Sequence, residues 1–505
     1  LDSSAASDVY KRQCGLLLAA VLFVPYLRCV GAYTLPAFFG LRFESPLTRM
    51  VASVLQTAPT FLLLAAEVTI AAMVLSIFLP AAYWLSVLIV ILFIAATGIL
   101  GGMRSLTWTG SAQFITGSMG LAIPLTVVAV VLTNLPAPQF TYGALLSSLA
   151  SAEVAAGIAA NDPSGLAGLP GHEPAAATMP FLKAFSTNSE AGFFALFFCF
   201  ALGTAALPSL LTRSGVTASV ADQRRSSAWT VFLVALFAIT APALVVFTKV
   251  LMVGDLVLMP TQGLPSWFNG LSEIEILRAT DLDGDGLISV GDLLIARDGI
   301  ALALPSLAAL PYILTAIMAA AGLAIALAAS GSHLFTLGAS LAEDLYGAID
   351  PQPIVLPRLL LAWGVIGAMA LVMAVYLLVA DVDALSYAVT AFALAAATFF
   401  PPVFLSTWWK RCSAWGVIAS LLMGFGVLLL CLFAGAIVGI ADTAAGTAGA
   451  SLVAALLALL AGIGTSLYAP ASKSADTVFF EAMRRPDGET LYDKAEAQAS
   501  AAQRK

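Results

Sequence analysis

The sequence predicts an all-α polytopic membrane protein. Of its 505 residues 60% are hydrophobic and only 10% charged, with a mean hydropathy of +0.98, against about 25% charged in soluble domains. Apolar stretches of about 20 residues recur along the chain, each long enough to cross a bilayer as a helix. Strands of a membrane barrel would instead alternate in polarity over about ten residues, and no such segments appear.

About eleven spans follow in order: 14–28, 49–78, 82–100, 112–133, 190–211, 228–252, 311–338, 357–379, 384–406, 414–438 and 448–468. The pair Gly101-Gly102 separates the third from the fourth, because glycine weakens a helix interior. In the fifth, Gly203, Thr204 and Pro208 interrupt the apolar run; a broken membrane helix frees backbone groups that must then face a cavity or another helix. Basic residues set the orientation. With the loop 29–48 inside, sixteen Lys and Arg fall on the cytoplasmic side and four (Lys183, Lys249, Arg278, Arg297) outside, leaving Lys11 and Arg12 aside. The segments 134–189 and 253–310 are then extracytoplasmic, and the polar tail 471–505 is cytoplasmic, partly helical and then disordered. The start, LDSSAASDVYKRQ, lacks the order of a signal peptide; residues 1–13 read as a non-native translated artefact, with the membrane domain at 14–470.

Several classes are excluded. Twenty-two Lys and Arg in a chain of net charge -7 build no nucleic-acid surface. Cys14, Cys29, Cys199, Cys412 and Cys431 show neither CxxC nor Cys/His spacing, which argues against a zinc site or a disulfide framework. No catalytic constellation and no GxxxxGK[ST] phosphate loop is present, so neither an enzyme nor an ATP-driven pump is expected.

The sharpest local pattern is DLDGDGLISVGD. It matches a calcium loop, with Asp281, Asp283 and Asp285 at positions 1, 3 and 5, Gly286 at the turn, a Leu287 carbonyl at 7, Ser289 at 9 and Asp292 at 12. Asp292 replaces the usual bidentate Glu, which predicts weaker binding; an acidic turn without metal is the other reading. Ionisable residues within spans are costly and therefore functional candidates. Glu67 in FLLLAAEVTIAAM could relay protons or pair with a solute, or bond a neighbouring helix. His333, near Ser330 and Ser332, could carry or gate a proton.

Five segments taken together carry a resemblance: GGMRSLTWT (101–109), LGTAALPSLLTR (202–213), ADQRRSSAWTVF (221–232), SLAEDLY (340–346) and FFPPVFLSTWWKRCSAWG (399–416). In this order and spacing they resemble the sodium:solute symporter family, in particular its cation/acetate symporter-like branch, over about 14–470. The resemblance implies a core of two inverted five-helix repeats within thirteen spans. The eleven spans here then match the third to the thirteenth, with the first core helix missing. It also implies a sodium site completed by a Ser/Thr pair, which falls on Ala328 and Ala329. Methyl groups cannot ligate a cation, and the acetate branch is similar in lacking the pair, so sodium and protons both stand as coupling ion. Ser330 and Ser332 could replace the pair only through a register shift.

These readings converge on a secondary active transporter of a bacterial inner membrane. It would take up a small organic solute, a short monocarboxylate such as acetate, with a cation by alternating access. The expected pathway residues are Glu67, Gly203, Thr204, Pro208, Ser330, Ser332 and His333; the expected partners are the solute and the lipid bilayer. The alternative is an uncoupled, degenerate symporter-like protein with a sensory role.

Overall fold

The computed structural model describes residues 3–79, 82–155, 189–217, 219–257, 259–273, 277–281, 286–288, 292–295, 300–345, 355–380, 382–438, 444–469 and 479–484. The chain opens with α1 (Ser3–Leu22), α2 (Val24–Val30), α3 (Leu35–Phe43), α4 (Pro46–Phe78) and α5 (Tyr83–Thr133). Two short helices, α6 (Pro138–Thr141) and α7 (Leu146–Ala155), precede α8 (Glu190–Ala205), α9 (Pro208–Thr212) and α10 (Val220–Asp255). Then come α11 (Ser266–Glu273), the strands β1 (Leu277–Ala279) and β2 (Leu293–Ile295), α12 (Ile300–Leu307) and α13 (Tyr312–Ala339), which runs into a π-helical turn at Ser340–Leu345. The chain continues through α14 (Val355–Val379), α15 (Ala384–Thr398), α16 (Phe400–Trp408), α17 (Ala414–Val438) and α18 (Ala444–Tyr468).

Among the described residues nine helical segments are long and apolar enough to cross a membrane, or ten if the bent pair α1–α2 is one span. The eleven expected spans differ from this at one place. Two of them, 82–100 and 112–133, are joined in α5, whose 51 residues would reach about 77 Å at about 1.5 Å per residue, more than twice a bilayer's hydrocarbon. Gly102 resolves the mismatch with φ 55° and ψ -150°, a conformation closed to side chains with a Cβ. Two limbs of about 28 and 46 Å result, each able to cross.

The first span also departs from expectation. The helix begins at Ser3 and turns by 43° at Phe23, where Pro25 removes a backbone donor. Residues 11–13, set apart in the sequence reading, are packed. Lys11 is 1% exposed with its ammonium 5.2 Å from the Phe193 ring, Arg12 lies 4.7 Å from the Phe392 ring, and Gln13 Nε2 donates to the Val231 carbonyl at 2.7 Å. Aromatic faces attract cations, so these polar residues continue the helix without stranding their charge.

Lipid-facing side chains such as Leu92, Phe232, Leu371 and Leu430 are exposed, a surface that water would not tolerate as a continuous patch. The interior divides by position. At one end Phe38, Phe39, Phe43, Phe399 and Val403 pack with Phe480 and Met483 of the tail. Arg484 stacks 3.8 Å over the Phe480 ring and donates to the Thr407 carbonyl at 2.6 Å; burial holds its guanidinium below the usual arginine range. Cys412, in the turn after α16, is buried there, and desolvation pushes its thiol up to about 12. At the opposite end Leu125, Phe247, Leu251, Ile288 and Leu304 form a second cluster. There Lys249 Nζ meets Glu153 Oε1 at 2.7 Å, both nearly inaccessible.

A small antiparallel ribbon is appended to the helical bundle. Leu277, Arg278 and Ala279 pair with Ile295, Leu294 and Leu293, joining the two ends of the segment 281–292. Three residues per strand are too few for polarity to alternate legibly.

Candidate functional site

The site begins at the break between α8 and α9. Proline pushes the residue before it into extended backbone; Leu207 has φ -63° and ψ 120°, and the helix restarts at Pro208. Just before the break, a Cβ on Gly203 would sit 2.3 Å from the Phe392 carbonyl oxygen, so α8 and α15 approach to backbone contact. Thr204 is buried, and among the described residues its hydroxyl has no hydrogen-bond partner. Gly15 of α1 crosses directly over it.

Beside this break lies a cavity of 660 Å³. Its wall follows helical periodicity. From α13 it takes Ile325, Ala328, Ala329, Ser332, Phe335 and Thr336, and from α5 Met103, Leu106, Thr107, Gly110, Ser111 and Phe114. From α10 come Gln223, Ser226, Ser227, Thr230 and Val231. Leu16, Ala19 and Ala20 of α1 close one side, and Ser209, Leu210, Arg213 and Ser214 another. Three helices thus each turn a hydroxyl-bearing stripe, spaced three and four residues apart, toward one space.

Of the expected pathway residues, Ser332 lines this cavity. Ala328 and Ala329 open onto it too, so the positions of the usual hydroxyl pair face the cavity with methyl groups. Ser330 does not: it is fully buried and donates to the Ala326 carbonyl at 2.7 Å. Gly203, Thr204 and Pro208 stand behind the wall, and the residues following the break reach it. His333 is one residue beyond Ser332, about 100° around the helix, and points toward α4. Its Nε2 lies 3.6 Å from Glu67 Oε1. Glu67 Oε2 and His333 Nδ1 are buried and have no hydrogen-bond partner among the described residues. The two residues are therefore neighbours, with hydrogen-bonding capacity left over.

Arg213 was legible in the sequence only as a basic residue of the inner loop. It lies within the span Glu190–Gly215, reaches into the cavity and donates from Nη2 to Ser332 Oγ at 2.7 Å. The signal that could have found it is the spacing: it follows the Gly203–Pro208 break by one helical turn.

The same two helices that bring Glu67 to His333 are tied together at the end of the bundle. Asp344 is fully buried, and Arg49 Nε donates to its Oδ1 at 2.8 Å. Thr34 Oγ1 donates to Oδ1 at 2.9 Å and Ser340 Oγ to Oδ2 at 3.0 Å. Arg49 Nη2 also reaches the Glu343 carbonyl at 3.0 Å, and Ser53 meets Ser340 hydroxyl to hydroxyl at 2.9 Å.

In the segment 281–292, Asp283, Asp285 and Ser289 lie outside the described residues. Of the rest, the Gly286 N–H donates to Asp281 Oδ2 at 3.0 Å, Gly286 turns the chain with φ 76°, and Asp292 is 2% exposed. Thr261 N–H and Ile288 N–H bond to the Gly286 and Met259 carbonyls, bracketing Leu287.

The comparisons with known proteins agree with this architecture. The sequence profile of the sodium:solute symporter family matches residues 10–257 and 285–424. An uncharacterised symporter of Cupriavidus necator is 28% identical over 500 residues, covering 82% of this chain and 73% of that protein. The monocarboxylic acid transporter of Corynebacterium glutamicum is 25% identical over 429 residues, covering 83% and 68%. A Na+-coupled sialic acid symporter, solved in a substrate-bound outward-open state, superposes with a TM-score of 0.61 at 16% identity over 93% of this chain and 86% of that one. With the profile spanning most of a helical bundle built around a polar cavity, the chain belongs to the sodium:solute symporter family and is a multi-pass, cation-coupled solute transporter rather than an enzyme.

Proposed function

We propose that this protein moves a short monocarboxylate, such as acetate or pyruvate, into a bacterial cell across the inner membrane, driven by a cation gradient. The observation that carries this reading is the cavity of 660 Å³ beside the α8–α9 break. It is of a size for a small solute, faced by hydroxyls and one arginine, and built from helices that can rock about a discontinuous element. The similarity to a monocarboxylic acid transporter supports the solute class, and the excess of basic residues at one end supports a cytoplasmic tail. The test is uptake of labelled acetate and pyruvate into proteoliposomes under an imposed sodium gradient. Saturable, gradient-dependent accumulation is expected; equal uptake with and without any gradient would leave an uncoupled protein.

Sodium is the ion that the family implies. A second reading, coupling to protons, is favoured by a specific observation: the cavity positions 328 and 329 carry methyl groups, while Glu67 and His333 lie 3.6 Å apart with unpartnered atoms. A carboxyl and an imidazole in that arrangement can pass a proton between them. Uptake driven by an inward proton gradient without sodium selects this reading; dependence on sodium at fixed pH removes it.

The segment 281–292 is proposed as a calcium clip on the extracytoplasmic side. The turn at Gly286, the bond from its N–H to Asp281, and the ribbon joining both ends fit a loop that gathers oxygens around a hard cation. Asp283→Ala should lower the melting temperature in calcium and abolish stabilisation by calcium. Equal melting of the native protein in calcium and in chelator overturns the site.

A further inference from the structure

We infer that Arg213 is the counter-ion for the carboxylate of the transported solute, which makes the 660 Å³ cavity selective for anions over neutral molecules of the same shape. The inference deepens the monocarboxylate reading and rests on it. Arg213 sits two residues from the end of the span Glu190–Gly215 and lines the polar cavity, where ionisable groups mark solute pathways. Arg213 carries five N–H donors, and among the described residues a single hydrogen bond engages it, to Ser332 Oγ. No hydrogen bond joins it to Glu67 among the described residues, so the other N–H donors of the fork remain uncommitted.

The rest of the wall explains why this residue is needed. Thr107, Ser111, Thr230 and Thr336 each donate their hydroxyl proton to a carbonyl of their own helix. They therefore present lone pairs to the cavity, and a carboxylate, which only accepts, finds no partner in them. Beside the Gln223 amide and the Ser226 and Ser227 hydroxyls, Arg213 is the one cationic donor among the lining residues, in the planar geometry that matches two carboxylate oxygens. Ser209 and Ser214, next to it on the wall, can add hydroxyl donors. A solute bound there would compete with Ser332 for the guanidinium, so that binding loosens the contact between α9 and α13.

The test compares acetate with acetamide, its neutral counterpart of nearly equal shape, on the purified full chain. Wild type should bind acetate about tenfold or more tightly than acetamide, the scale of one charge-assisted pair. Arg213→Gln should lose that preference, its acetate affinity falling about tenfold or more, and Arg213→Lys should keep part of it. Should Arg213→Gln fail to fold, phenylglyoxal modification of wild type followed by mass spectrometry gives the same answer: acetate, and not acetamide, should protect Arg213. Undiminished acetate affinity in Arg213→Gln, or no protection, overturns the role of Arg213 and leaves monocarboxylate symport standing. Saturable uptake of uncharged solutes by a wild type that ignores monocarboxylates overturns both the inference and the solute class, and the family assignment survives.

Discussion

Helices α4 and α13 meet at two places, and the contacts could hardly differ more. At the end of the bundle Asp344 is fully buried and accepts from Arg49, Thr34 and Ser340, with every distance at or under 3.0 Å. In the middle of the membrane Glu67 and His333 stand 3.6 Å apart, beyond a hydrogen bond, and each keeps one buried atom unpartnered among the described residues. Leaving buried polar groups unsatisfied costs about 1–3 kcal/mol each. That cost fits the proposed proton coupling, in which the two groups exchange partners, better than a purely stabilising contact. The end contact is saturated with hydrogen bonds, and the midspan contact keeps the spare capacity that the proposed proton exchange would use.

The largest expected effect comes from stranding the buried charge. Arg49→Ala leaves the Asp344 carboxylate without its cation in a dry site and should cost about 3–5 kcal/mol, read as a large drop in the denaturant midpoint of detergent-solubilised protein. Asp344→Asn preserves the volume and leaves Arg49, a quarter exposed, able to reach water, so a loss of about 1–3 kcal/mol is expected. Glu67→Gln should change the midpoint by less than about 1 kcal/mol while removing the pH dependence of uptake. If it destabilises as strongly as Arg49→Ala, the midspan contact is structural and the distinction collapses. Ser330→Ala is expected to do least, under about 0.5 kcal/mol and without effect on uptake, because its hydroxyl serves only its own helix.

Much of this was legible beforehand, for identifiable reasons. Apolar length alone locates the spans, and Gly102 and Pro208 mark their breaks because glycine and proline act on the backbone wherever they occur. The cavity face of α13 follows from spacing, which separates Ser332 from Ser330 and His333. What stayed hidden depends on contacts remote in sequence. Thr34 and Asp344 are 310 residues apart, and no local pattern joins them. Arg213 looks like any basic residue closing an inner loop until the cavity beside it is seen. The ribbon at 277–279 and 293–295 is too short to announce itself, and Lys11 within a polar start gives no hint of the Phe193 and Phe200 rings that receive it.

The docking of Phe480 and Met483 against Phe38, Phe39 and Phe43 has a consequence for how the protein is made. The Arg42 guanidinium lies 5.3 Å from the Phe480 ring, yet that ring is synthesised about 440 residues later, roughly 20–90 s at about 5–20 residues per second. During that interval the seat on α3 lacks the Phe480 and Met483 side chains that fill it. Docking of this cluster is therefore a late event on the ribosome's clock, and the helical turn at 479–484 acts as a stopper that a nascent chain does not yet possess.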